Sequence, residues 1–142
     1  MSPQELKTIA CRHMDLLDQR DLEAAGAMYL PDAQYHGFAP RTLDLNGYQQ
    51  VMSILFAAFP DSRFSVDDLI AEADRVAIRH RFHGTHRGEF QGIPPTNKQV
   101  TISAIGILRI VNGRIAESWL NADFLGLLQQ LEVVPQPAQM GS

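Results

Sequence analysis

The pair Asn112-Gly113 lies between two long runs of apolar and β-branched residues, Val100 to Val111 and Ile115 to Asp123. Asn-Gly between such runs specifies a two-residue β-hairpin, because both turn positions need positive φ. Upstream, Val76, Ile78, His80 and Phe82 alternate with Ala77, Arg79, Arg81 and His83, the period of a half-buried strand. Phe64, Val66 and Leu69-Ile70 form a further strand, turned at Glu72-Ala73-Asp74. Residues 84–96 hold three glycines and Pro94-Pro95 and read as a loop-rich connection. The second half of the chain is therefore an antiparallel sheet.

The first half has helical spacing. Ser2-Pro3-Gln4-Glu5 has the form of a capping box with proline at the first helical position. Leu6, Ala10, His13 and Leu17 follow on one face. Asp21 opens a second short helix through Ala24, Ala25, Met28 and Tyr29, stopped by Pro31. Residues 33–38 read as a short strand. A third helix opens at Asn46 or Gly47, carries Tyr48, Val51, Met52, Leu55 and Phe59 on one side, and ends at Pro60-Asp61. A last short helix bears Phe124, Leu127, Leu128 and Leu131. Three helices before a curved, mostly antiparallel sheet make an α+β cone, with an apolar cavity between helices and sheet. The expected division is a domain over residues 1–132 and a tail over 133–142.

Charge removes several function classes. The 142 residues carry a net charge of −4, −7 over residues 1–74 and +3 over 75–142. Arg75, Arg79, Arg81 and Arg87 are interleaved with His80, His83 and His86, and alternation along a strand divides this mixed set between two faces, which argues against a nucleic-acid surface. No stretch approaches the length of a membrane span, and the polar start resembles no secretory signal. A cytoplasmic protein is expected. Cys11 stands alone, so no internal disulfide forms. His80, His83 and His86 lack the spacing of a metal site, and no phosphate loop or nucleophile elbow is present. Neither metal nor cofactor is called for.

Several blocks together resemble the SnoaL-like polyketide cyclases. They are Ala58-Phe59-Pro60-Asp61, the run from Gly84 to Thr96, Leu108 to Ile115, and Asp123 to Leu131. The resemblance covers most of residues 1–131. It implies the nuclear transport factor 2-like cone shared with ketosteroid isomerases and scytalone dehydratase, and a homodimer or homotetramer. It also implies cofactor-independent intramolecular aldol closure of aromatic polyketide esters. In that reaction an acidic residue removes a proton next to a carbonyl. The matching residue is Asp123, at the start of the last helix. A family histidine three residues before the arginine matched by Arg109 falls on Gly106.

Residue chemistry supplies further candidates. Trp119, Asn121 and Asp123 alternate and should share a face. If that face lines the cavity, desolvation raises the Asp123 carboxyl toward a general base; aspartate is equally a favoured helix N-cap. His80 lies on the apolar face with Phe82 and is a second catalytic candidate, able to stand in for the residue missing at Gly106. Tyr35, His36, Phe59, Phe82, Gly106, Trp119 and Asn121 are the candidate substrate-binding residues. The expected activity is carboxylate-mediated proton abstraction from a hydrophobic carbonyl compound. The alternatives are an isomerase, dehydratase or hydratase on the same fold, or a non-catalytic binding or dimerisation module.

Overall fold

The computed structural model describes residues 1–135; of the expected tail, residues 136–142 lie outside the described residues. Helix α1, Pro3–Asp18, begins with the expected capping box. The Ser2 hydroxyl accepts from the Glu5 backbone N–H at 3.1 Å, and the Ser2 N–H donates to the Glu5 carboxylate at 3.1 Å. These contacts satisfy donors that a helix start leaves open. Leu6, Ala10, His13, Met14 and Leu17 form its buried stripe. Helix α2, Leu22–Ala27, is capped by Asp21, and helix α3, Leu45–Ala58, by Asp44.

Two boundaries differ from expectation. The first strand, β1, runs Tyr29–His36, so Tyr29 starts a strand and does not end a helix. Pro31 sits inside β1, which is tolerated because β1 is the edge of the sheet. Helix α3 starts one residue early because Asp44 supplies the cap, its carboxylate accepting from Gly47 N–H at 2.8 Å.

The remaining strands are β2 (Arg63–Glu72), β3 (Arg75–Thr85), β4 (Gln99–Val111) and β5 (Arg114–Ala122), followed by helix α4 (Phe124–Gln130). They form one open sheet in the order β1-β5-β4-β3-β2. Only β1 and β5 pair in parallel; the other pairs are antiparallel. Asn112 and Gly113 have φ of +51° and +79° and close the β4–β5 hairpin as expected.

Register decides which side chains meet the helices. Val76, Ile78, His80 and Phe82 face inward on β3. On β4 the inward set is Val100, Ile102, Ala104, Gly106, Leu108 and Ile110. Arg79 and Arg81 face outward, and both reach Asp67 on β2, at 3.7 and 2.9 Å. Such exposed pairs contribute little stability. One buried cluster joins α1, α3 and the sheet around Tyr29, Tyr35, Tyr48 and Ile78. A second gathers Phe59, Phe82, Phe90, Ile102 and Leu127 beneath α4. No helix among the described residues is long and apolar enough to cross a membrane.

Candidate active site

Where the two clusters meet, the cone encloses a cavity of about 360 Å³. Its space comes from small residues in the middle of the sheet. Ala104 is paired with Ala122, and Gly106 with Leu120, all on the inner face. The helical wall carries His13, Tyr29, Tyr48, Met52 and Leu55; Phe38, Pro40, Ile54, Gln91 and Phe124 also line the cavity. Ile54 and Phe124 are exposed and mark its mouth. Among the described residues that line it there is no Asp, Glu, Lys or Arg. The residues with polar side-chain atoms are two histidines, two tyrosines, Ser118, Gln91 and Trp119.

His80 is the imidazole on the sheet side. It is 9% exposed, and its Nδ1 is enclosed without a hydrogen-bond partner. A Cβ at Gly106 would lie 4.0 Å from its Nε2. The glycine therefore leaves open the space beside that nitrogen. Desolvation lowers the His80 pKa, while the field of Asp67 pulls it upward. The outcome is a neutral imidazole at neutral pH.

His13 faces the same cavity from α1. Its Nε2 lies 2.7 Å from the Tyr29 hydroxyl, and its ring stands edge-on to Tyr29 at 5.2 Å. Burial, with repulsion from His80 added, lowers its pKa to about 4. Folding thus holds His13 uncharged in a pH range where the unfolded chain protonates it at about 6.5. The native state loses stability as pH falls from about 6.5 to about 4, and gains nothing from this group above that window. His13→Gln keeps a partner for Tyr29 but cannot titrate. We expect it to flatten the acid limb of stability, removing roughly 3 kcal/mol of pH dependence. Urea unfolding at pH 7.5, 6, 5 and 4 measures this; parallel curves for the two proteins would refute it.

The other sequence candidates divide. Phe82 and Gly106 line the cavity. Tyr35 and Phe59 do not: both are 0% exposed and belong to the core. Tyr35 stacks on Tyr48 at 4.3 Å, and Phe59 meets Phe82 edge-on at 5.4 Å. Trp119, Asn121 and Glu117 do share a face, but it is the outer one, because the inward set on β5 is Ser118, Leu120 and Ala122. Trp119 contributes to the cavity wall, yet its indole stacks on His36 at 5.5 Å and lies under the Arg75 guanidinium at 5.1 Å. Asn121 is exposed opposite Ile105.

His36 is likewise on the outer face. Its Nε2–H donates to Glu117 at 2.7 Å, and Arg109 donates to the same carboxylate at 3.1 Å. Burial pushes the Glu117 carboxyl up, but those hydrogen bonds outweigh it and hold the group below its usual value.

Asp123 is the N-cap of α4. Its carboxylate accepts from Gly126 N–H at 2.8 Å, and it lies exposed outside the cavity lining. The strand has ended at Ala122, so period-two alternation no longer aims this side chain. Tyr48 and Ser118 were missed as polar cavity groups. Tyr48 was legible only as part of a helical stripe, and Ser118 only by assigning the opposite parity to β5. Among the described residues, no group of three or more His, Cys, Asp or Glu is placed to hold a metal ion.

Residues 7–131 match the family model for SnoaL-like polyketide cyclases. Similar solved structures include AclR, a candidate hydroxylase from Streptomyces galilaeus. It is 29% identical over 95% of this chain and 85% of its own, with a TM-score of 0.88. IdmH, a candidate polyketide cyclase from Streptomyces antibioticus, is 29% identical over 89% of this chain and 98% of its own, with a TM-score of 0.81. A candidate polyketide cyclase from Acidithiobacillus ferrooxidans is 29% identical over 91% and 95%, with a TM-score of 0.76. No curated protein matches the chain.

Proposed function

Because the chain belongs to the SnoaL-like polyketide cyclase family, we propose that it moves a proton at a carbon next to a carbonyl in a hydrophobic, uncharged substrate, with His80 as the base. The observation that carries this reading is the neutral His80 Nε2 beside the open space at Gly106, in a cavity lined by no carboxylate. The family resemblance assigns the base to Asp123 and a histidine to position 106. Here the aspartate is engaged as a helix cap, and the imidazole next to the vacated position comes from β3. With Nε2 as the base the ring's own proton is on the enclosed Nδ1, which has no acceptor, and a neutral imidazole of this kind is matched to proton abstraction near neutral pH.

The step is balanced without a redox partner. The Cα–H bond breaks, its proton goes to His80 Nε2, and the electron pair becomes the enolate. In the cyclase version the enolate carbon attacks a second carbonyl of the same molecule, and the imidazolium returns the proton to the new alkoxide. An isomerase or dehydratase would share the first half of this sequence, since pocket residues decide how the enolate is used. The lining, largely apolar and without a charged side chain, favours uncharged, hydrophobic substrates through burial of their surface.

The test is enzyme-accelerated deuterium uptake from heavy water into a naphthyl β-keto ester, followed by NMR. Acceleration above the buffer rate, saturating with probe concentration, is expected. Uptake at the buffer rate across a panel of such esters would leave the binding-module alternative.

A further inference from the structure

The outer face of the sheet carries a second set of reactive groups, separate from the cavity. At the end of β1 the chain turns through Gly37, at φ +89°, where a Cβ would strike the Leu120 carbonyl. The segment then returns, and Leu43 bridges Tyr35 through two backbone hydrogen bonds of 3.0 and 2.9 Å. This closure sets the exposed Thr42 beside His36, six residues earlier, with its hydroxyl oxygen 3.1 Å from His36 Nδ1.

The position of each proton follows from the far end of the array. Arg109 grips one Glu117 oxygen through Nε and a terminal nitrogen, at 3.2 and 3.1 Å. The carboxyl is held below its usual value and is ionised at neutral pH. An ionised carboxylate can only accept. The His36 proton therefore sits on Nε2, which donates to the other Glu117 oxygen across 2.7 Å. In the neutral ring Nδ1 is then a lone pair, and the Thr42 O–H donates to it. Trp119, stacked on the imidazole at 5.5 Å, fixes the plane of the ring.

A hydroxyl bonded to a base, with the base oriented by an anchored carboxylate, is the arrangement that activates an otherwise weak nucleophile. Attack on a carbonyl also needs a donor for the oxyanion. Among the described residues the Thr42 backbone N–H is bonded to no backbone or side-chain acceptor. It is the donor nearest the attacking oxygen, and it is free.

We propose that Thr42, with His36 as its base and Glu117 orienting that base, is a nucleophile that cleaves activated esters on the outer face of the sheet. The site is independent of His80 and of the cavity. Thr42 Oγ1 attacks the carbonyl carbon as its proton passes to His36 Nδ1. The tetrahedral intermediate breaks its bond to the leaving oxygen, which takes that proton and departs as the alcohol. Water, giving its proton to Nδ1, then attacks the acyl-threonine; the carboxylic acid leaves and Thr42 recovers its hydrogen. Because Thr42 is exposed, the site selects by reactivity of the acyl donor more than by shape, which fits aryl esters and thioesters. Glu117 is a positioning residue that acts through His36 and touches no substrate.

4-Nitrophenyl acetate is the probe. The full-length protein should release nitrophenol in an initial burst, and peptide mass spectrometry of the acid-quenched burst should place an acetyl group on Thr42. Thr42→Val should lose the label, and His36→Gln should slow the burst about 10²-fold. Glu117→Gln should also slow it, since an amide can donate to Nε2 and favour the wrong tautomer. His83→Gln removes an imidazole from the same face, one bonded to Ser65 and Thr101, and should leave the burst unchanged. Thermal melting checks that each variant is folded.

Wild-type protein acetylated on lysine or histidine and not on Thr42 overturns the proposal whether or not the variants fold. So does a burst that persists in Thr42→Val, or one that His83→Gln slows as much as His36→Gln. A burst at the wild-type rate in Glu117→Gln overturns the orienting role of that residue.

Discussion

His80→Gln loses proton-transfer activity by a factor of about 10²–10⁴ while remaining folded. That range is what one positioned acid–base group contributes. Glutamine approximates the reach of the imidazole but has no basic nitrogen. Stability should change little, because the enclosed Nδ1 of His80 has no partner to lose. The informative comparison is Asp123→Asn. Asparagine caps helices about as well as aspartate, so it preserves the bond to Gly126 N–H and removes only the carboxylate. With His80 as the base, Asp123→Asn keeps deuterium uptake within a few-fold of wild type. A collapse of uptake in Asp123→Asn with His80→Gln intact would reverse the assignment. Thermal melting of both variants separates loss of chemistry from loss of fold.

Phe59→Ala destabilises by about 3–5 kcal/mol, the range for deleting a buried aromatic ring. Phe59 is 0% exposed and stands at the C-terminal end of α3. Its ring lies 5.4 Å from Phe82, 5.7 Å from Phe90 and 5.5 Å from the buried His86. A Cβ at Gly84 would approach Phe59 Cβ to 3.0 Å, so backbone and ring are already in close contact. Three segments meet on this side chain: the helix, strand β3 and the connection after it. They cannot collapse together into the space it leaves. Urea unfolding gives the value, and a loss under 1 kcal/mol would mean that the cluster closes over the void. Phe59→Leu, which retains much of the volume, should lose far less.

What the sequence made legible follows from how local the determining physics is. The Asn112-Gly113 turn, the Ser2/Glu5 cap and the inward set of β3 each depend on a few neighbouring residues, and each has the expected form. The inward position of His80 belongs with them, and so do Phe82 and Gly106. The face of β5 was not legible. Both of its faces carry apolar residues, and the large indole of Trp119 suggests the interior; His36 and Arg75, distant in sequence, cover it outside with a ring stack and a cation–π contact. Reversing that parity carries Asn121 outward and Ser118 inward. Asp123 posed a different difficulty, since capping and catalysis call for the same residue type and only its position relative to the cavity distinguishes them. The Tyr29–Tyr48 pair joins a strand to a helix across an intervening loop, and periodicity says nothing about such meetings.

The parallel pairing of β1 with β5 has a consequence for how the chain comes to be folded. Tyr29 is in register with Ile115, and His36 with Trp119, so the strand that follows the first two helices finds its partner only near the far end of the sequence. During synthesis the helices, β1 and most of the sheet leave the ribosome before β5 exists. Until then β1 presents an unpaired edge carrying Tyr29 and Tyr35, a surface open to pairing with other chains. Closing so long a loop costs entropy before any contact compensates it. The cavity, whose wall includes Ser118, Leu120 and Ala122 of β5, is consequently complete only once that last strand is in place.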